Sequence, residues 1–156
     1  MAKKRILRKK PSSESQGKAK TRLPTSEGAI PQDTHLPVVQ LRVGRGSPGR
    51  GAGEGCHYWH ILYGEMKVGN VFINRITEAP FGLHASIQIK INKSHQGRGI
   101  GKIAYKLACE ASVHDMVIAH MRKSNIASRT AAKAAGFKAV EDKKIPQLSM
   151  KWERGK

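Results

Sequence analysis

Acidic residues are scarce in this 156-residue chain: 11 Asp and Glu stand against 29 Lys and Arg, a formal charge of +18 at pH 7. An excess of that size is more than one anionic cofactor can use. It points to an acidic partner, whether nucleic acid, a ribonucleoprotein or an acidic acceptor. Cysteine is nearly missing, and Cys56 and Cys109 are too few for a disulfide framework or a metal site. The seven histidines show no metal-ligand spacing, so no metal is expected. No stretch approaches the length of a membrane span, and the N-terminus lacks an apolar signal core. A reducing, cytoplasmic setting without membrane contact is the expectation. There is no internal repeat, and the length allows one domain plus a tail.

The tail is read as residues 1–36 and the domain as 37–156. Lys3-Lys4-Arg5 and Arg8-Lys9-Lys10 flank only Ile6 and Leu7, with Pro, Ser, Gly and Gln filling the rest. Such a stretch cannot bury enough apolar surface to offset its chain entropy, so a disordered arm is expected. Residues 1–35 hold nine Lys/Arg and three Asp/Glu, suited to contact with nucleic-acid phosphates or a ribosome. A nuclear import signal reads equally well from the same residues.

What is present is a glycine-rich turn, Gln96-Gly97-Arg98-Gly99-Ile100-Gly101. Ahead of it Ile87, Ile89 and Ile91 alternate with polar residues, as in a strand with one buried face. Behind it Ile100, Ile103, Ala104, Leu107, Ala108 and Ala111 recur at helical spacing, and Cys109 falls on the apolar face of that helix. Glycines at a strand-to-helix junction let backbone N–H groups approach a ligand, and a helix N-terminus favours negative charge. With Arg98 and Lys102 this reads as a cradle for a phosphate-bearing ligand. A P-loop would end in Gly-Lys-Ser/Thr, and a dinucleotide fingerprint would read G-x-G-x-x-G; neither is present.

A second element follows about thirty residues on. An apolar strand, Asp115 to Arg122, leads to Asn125-Ile126-Ala127-Ser128-Arg129, then a run of alanines and Gly136-Phe137. Ser124 or Asn125 can cap this helix, and Gly136 can stop it in the left-handed conformation. The Gln-x-x-Gly-x-Gly loop after a strand resembles the coenzyme A pyrophosphate loop of the GNAT acetyltransferase superfamily. The Asn-x-x-Ser-Arg wording ahead of Gly-Phe is most similar to the ribosomal-protein N-terminal acetyltransferase branch. The resemblance covers about residues 38 to 152.

It implies an α/β (α+β) fold, a central, mixed but mostly antiparallel sheet with few helices. The residues before the loop fit that expectation. Val38 to Val43 reads as a first strand; His57 to Tyr63 and Lys67 to Arg75 form a hairpin; Glu78 to Gly82 turns into a central strand, Leu83 to Asn92. Lys138 to Glu141 and Gln147 to Trp152 read as closing strands. The family places two helices between its first two strands. Here that interval, Gly44 to Gly55, holds six glycines and Pro48, so those helices are expected to be missing. The acceptor cleft would then be open, or completed by another chain.

The resemblance further implies acetyl-CoA as cosubstrate and N-acetyl transfer to a primary amine, which the second-motif wording places on a protein or other macromolecule. Polyamine and aminoglycoside acceptors stay open. Ile89, Lys90 and Ile91 would pair with the pantetheine arm; Gln96, Gly97, Arg98, Gly99, Ile100, Gly101 and Lys102 would hold the pyrophosphate; Asn125 would add a contact. Relatives carry a tyrosine acid seven residues after the Asn, where this chain has Ala132, leaving Ser128 or water. They carry a carboxylate base five residues before the Asn, where this chain has His120. His84 is a second candidate base, ahead of His60 and Glu65. An imidazole with a reference pKa near 6.5 suits proton removal from an ammonium. Two rival readings follow from the same residues: a catalytically degenerate GNAT module binding RNA or a ribosome, and a structural component of a nucleoprotein particle.

Overall fold

The computed structural model describes residues 38–156; the basic arm expected over 1–36 lies outside the described residues. Seven strands form one sheet: β1 (Val39–Val43), β2 (His57–Tyr63), β3 (Met66–Glu78), β4 (Gly82–Ile91), β5 (Met116–Met121), β6 (Lys138–Val140) and β7 (Leu148–Glu153). Their spatial order is β1-β2-β3-β4-β5-β7-β6. Every neighbouring pair is antiparallel except β4 and β5. A parallel pair needs a crossover; the glycine loop and helix α1 (Ile100–Ala111) supply it. Helix α2 (Ile126–Ala134) follows β5. This is the mixed, mostly antiparallel sheet with few helices that the sequence implied. Among the described residues no helix is long and apolar enough to cross a membrane.

Both helices pack on one face of the sheet. Trp59, Ile61, Val71, Ile73, Ala85, Ile87, Val117, Ala119 and Met150 form a single cluster with Ile100, Ala104, Tyr105, Ala108 and Cys109 of α1 and Ala132 of α2. Burying these side chains is the main force on the fold. Cys109 is fully buried, and burial pushes its thiol well above the ordinary range, so it is a core residue and not a nucleophile. Strict alternation along β3 would put Val68 on the face of Asn70 and Phe72, but Ile61 opposes Gly69 while Leu62 opposes Lys67. Val68 is the extra residue of that bulge and turns into the core with Val71 and Ile73. A bulge shifts the period of a strand in a way no regular pattern announces.

Helix ends are treated unequally. The guanidinium of Arg154 donates to the carbonyls of Ser112 (2.8 Å) and His114 (2.9 Å) and, at longer range, to those of Cys109 (3.4 Å) and Glu110 (3.3 Å). It therefore neutralises the carboxyl end of α1. At the other end, Gly99 is the N-cap, with φ of 76° and no side-chain bond to the first turn. In α2, Asn125 rather than Ser124 is the cap, its Oδ1 accepting from the Ser128 N–H at 3.1 Å. Gly136, at φ of 100°, stops it: the Phe137 N–H bonds the Ala132 carbonyl and the Gly136 N–H that of Lys133.

The interval between β1 and β2 carries no helix, yet it is tied down. Asn74 of β3, only 8% exposed, accepts from the Gly51 N–H at 2.7 Å and donates to the Gly49 carbonyl at 2.8 Å. Gly51 sits at φ of 81°, and a Cβ there would strike the His57 carbonyl. The loop is thus held to the sheet by one amide latch. Asn74→Ala should leave the Gly51 donor buried and unpaired, at a cost of about 1–3 kcal/mol. Urea denaturation is expected to show that loss, and trypsin to cut at Arg50 faster than in the parent protein.

Candidate active site at the parting strands

The site begins where β4 and β5 separate. They pair at only three positions, Ala85–Val117, Ser86–Ile118 and Ile87–Ala119. Beyond these, β4 stays with β3 as far as Ile91, while β5 stays with β7 as far as Met121. The Asn92 N–H bonds the Val68 carbonyl at 2.8 Å, so alternation turns the polar groups of Ile89 and Ile91 toward the gap. The Ile91 carbonyl is taken by the Gln96 side-chain amide at 3.0 Å, which makes Gln96 an anchor of the loop. The backbone groups of Ile89 face the gap without a strand partner.

The loop then turns through Gly97 (φ 79°) and Gly99 (φ 76°) into α1. A Cβ at Gly97 would meet nothing within 4 Å, so the space above the loop is open. At Gly101 a Cβ would lie 3.3 Å from Ala131 Cβ and 3.5 Å from Ile91 Cδ1, so this glycine lets α1, α2 and β4 converge. A cleft of about 890 Å³ opens here, lined by Ile89, Lys90 and Ile91 of β4, Gln96, Gly97 and Gly99 of the loop, Ile100, Gly101 and Lys102 of α1, and Asn125 and Ser128 of the α2 start. Arg98, expected in the cradle, is exposed and does not line the cleft. Its flanking glycines turn the chain so that its side chain stands outside.

Tyr105 also lines this cleft, and sequence reasoning did not single it out. It is 3% exposed, its ring packs edge-on to Phe137 at 5.4 Å, and its hydroxyl lies 3.0 Å from Ser128 Oγ. Burial raises its pKa, and the Ser128 hydrogen bond opposes that shift. Ala132, where relatives would carry a tyrosine, is wholly buried in the core. A phenol thus reaches the cleft from α1 instead of α2. The helical period places Tyr105 on the inner side of α1, but only the packing of the two helices brings it to Ser128.

The candidate bases lie on the other sheet face. Ala85, Ile87, Val117 and Ala119 point toward the helices, so His84, Ser86, Ile118 and His120 point away. His84 precedes the first β4–β5 pair and His120 follows the last, and their rings meet across them with Nε2 atoms 3.0 Å apart. His120 Nδ1 is 3.0 Å from Ser149 Oγ, and His84 Nδ1 is 2.8 Å from the Gly82 carbonyl. Phe81 lies against both rings, at 5.3 and 5.9 Å. Burial, then the neighbouring His84, lower the His120 pKa, with Glu78 opposing. Neither histidine lines the 890 Å³ cleft; His120 stands at the gap on its far side. His60 and Glu65 belong to β2 and its hairpin, away from the gap. Ser149 is the member of this group that the sequence did not indicate.

Charge is divided along the sheet. No acidic residue occurs between Glu78 and Glu110 or between Asp115 and Glu141. Those segments put Lys90, Lys93, Arg98, Lys102, Arg122, Lys123 and Arg129, all exposed, at the end where the strands part. At the opposite end Asp115 pairs with Arg154 at 3.1 Å, and Glu153 with Lys151 at 3.4 Å.

No protein-family model matches the chain, and no curated protein sequence matches it. Solved structures do. Mycobacterium smegmatis RimJ, in complex with CoA-disulfide, superimposes with a TM-score of 0.52 at 21% identity over 64% of this chain and 53% of its own. Aminoglycoside acetyltransferase AAC(6')-Ib with coenzyme A gives 0.54 at 16% identity over 65% and 68%. The ribosomal-protein-S5-alanine acetyltransferase of Vibrio fischeri gives 0.52 at 17% identity over 65% and 63%. The chain therefore spans between about half and two thirds of the length of these proteins. At such identities the likeness is one of fold: the chain has the GNAT acyltransferase fold.

Proposed function

We propose that this protein is an acetyl-CoA-dependent N-acetyltransferase whose acceptor is a primary amine on a protein or other macromolecule. The observation that carries the reading is the early parting of β4 from β5, which leaves the Ile89 backbone open beside an uncapped start of α1. The residues present fit the cosubstrate. The first-turn N–H groups of α1 and the Lys102 ammonium suit a pyrophosphate, and the open space over Gly97 leaves room for it. The unpaired Ile89 groups suit the amide-bearing pantetheine arm. The amide nitrogen of Asn125 is free to join them, because its cap uses only Oδ1. Arg98 adds charge at the rim.

Bound acetyl-CoA would supply an acetyl thioester, activated toward an amine. The chain's own groups then have to manage two protons. Ser128 Oγ, backed by the Tyr105 hydroxyl, is placed to donate one inside the cleft; the raised pKa of Tyr105 keeps that phenol protonated at neutral pH. His120, its pKa lowered, is neutral at pH 7 and is placed to receive the other, directly or through water. The short latched loop between β1 and β2 holds no helix, and among the described residues the acceptor side has no helical wall, which suits a bulky acceptor. Among the neighbours the named amines are an aminoglycoside's and a ribosomal protein's alanine. We place the protein in the cytoplasm, where acetyl-CoA and such acceptors meet.

A second reading has its own support. The exposed cations at the mouth outnumber the charges of one cofactor, so a module that binds RNA or a ribosome, with little or no catalysis, uses the same surface. Calorimetry with CoA and thiol release with candidate amines separate the two. Lys102→Glu and Gly99→Glu should each weaken CoA binding at least tenfold (about 1.4 kcal/mol) while the protein remains folded; unchanged affinity would remove the cofactor. Tyr105→Phe should lower kcat with little effect on CoA affinity. Deleting residues 1–35 should leave CoA affinity unchanged but weaken RNA binding and flatten its salt dependence, since nine basic residues are lost.

A further inference from the structure

His84 and His120 hold a more specific arrangement than two separate candidate bases. A carbonyl oxygen only accepts, so the 2.8 Å contact between His84 Nδ1 and the Gly82 carbonyl places a hydrogen on Nδ1. In the neutral ring, Nε2 of His84 is then a bare acceptor. The 3.0 Å contact between the two Nε2 atoms needs a donor, which must be His120 Nε2–H. His120 Nδ1 is thereby left without hydrogen and accepts from the Ser149 hydroxyl at 3.0 Å. One backbone carbonyl thus sets the direction of the whole chain, from Ser149 through His120 to His84 and Gly82.

We propose that His84 and His120 form a single proton-accepting unit, with Ser149 and the Gly82 carbonyl as its positioning groups, which takes the acceptor amine's proton one at a time. This rests on the acetyltransferase reading for its role, but not for its existence. When the ammonium N–H bond breaks, the proton binds His120 Nδ1, and the Ser149 hydroxyl turns from donor to acceptor. The imidazolium keeps its Nε2–H bond to His84, and moving that hydrogen across shares the charge between the rings. A second proton would set two N–H groups against each other 3.0 Å apart, so the unit stops at one. Ser149 is fully buried and cannot itself attack a substrate; its part is to hold the His120 ring.

Burial and the neighbouring ring favour the neutral form of His120, and Glu78 opposes them. His84 is 5% exposed, and Phe81 covers both rings. Among the described residues, the charged groups facing the pair are Glu78, from the end of β3, and Lys151 of β7, which lies opposite Ile118 on the same face and pairs with Glu153. Among the described residues no helix packs on this face. His120 is half-buried and gives the unit its way to solvent.

Imidazole nitrogen NMR of the full-length protein, without substrate, tests the arrangement. The neutral protein should show His84 as the Nδ1–H tautomer and His120 as the Nε2–H tautomer. Between pH 8 and pH 5 the two rings together should bind one proton. His84→Gln, whose side-chain carbonyl can still accept from His120 Nε2, should retain the His120 tautomer. His84→Ala should lose it and move the His120 midpoint up toward 6.5, with the acid limb of kcat following. Finding His84 as Nε2–H, or two protons bound over that range, would overturn the proposal. Thiol release is a separate readout: its absence would remove the acetyltransferase reading and leave the titration to decide the unit.

Discussion

The single parallel pairing in an otherwise antiparallel sheet governs this molecule. Antiparallel strands can be joined by tight turns, but β4 and β5 run the same way and need a helix between them. That helix has to begin at the end where β4 leaves the sheet. Because β4 follows β3 and β5 follows β7, the two diverge after three pairs. An unpaired strand edge and the bare start of a helix are therefore delivered to one place by connectivity. Backbone groups without a strand partner are thereby gathered beside the start of a helix.

Electrostatics follow the same division. Arg154 answers the carbonyls at the far end of α1, whereas at the near end the Gly99 N-cap supplies no side-chain bond to its N–H groups. The exposed cations gather at the near end, and the ion pairs of Asp115 and Glu153 lie at the far one. Helix dipole and side-chain charge thus add at the cleft mouth instead of cancelling. The cleft is positive before any ligand arrives, at the expense of like charges held together in the free protein.

The opposite sheet face, among the described residues, carries a latched loop and a histidine pair. A glycine loop held by the Asn74 amide joins β1 to β2, and a Cβ at Gly51 would strike the His57 carbonyl. Among the described residues no helix packs here; His84, Ser86 and Ile118 are nonetheless buried, and His84 and His120 meet ring to ring. The buried polar pair is tolerated because each ring nitrogen has a partner.

Much of the fold could be read from local patterns, because they are local in origin. The alternation through Ile87, Ile89 and Ile91, the helical spacing after Gly99 and the Gly136 stop are properties of short segments, and each element lies within a few residues of its expected bounds. The charge excess and the glycine loop were likewise plain from composition and order. Val68 was not, since a bulge depends on the partner strand. Nor were Tyr105 and Ser149, whose meaning lies in what they face: a hydroxyl 23 residues further on in α2, and an imidazole 29 residues earlier in β5. The residue types and their periodicities are determined by the sequence. Which hydroxyl meets which ring, and which way a proton points between two histidines, is decided only when the sheet order brings distant strands together.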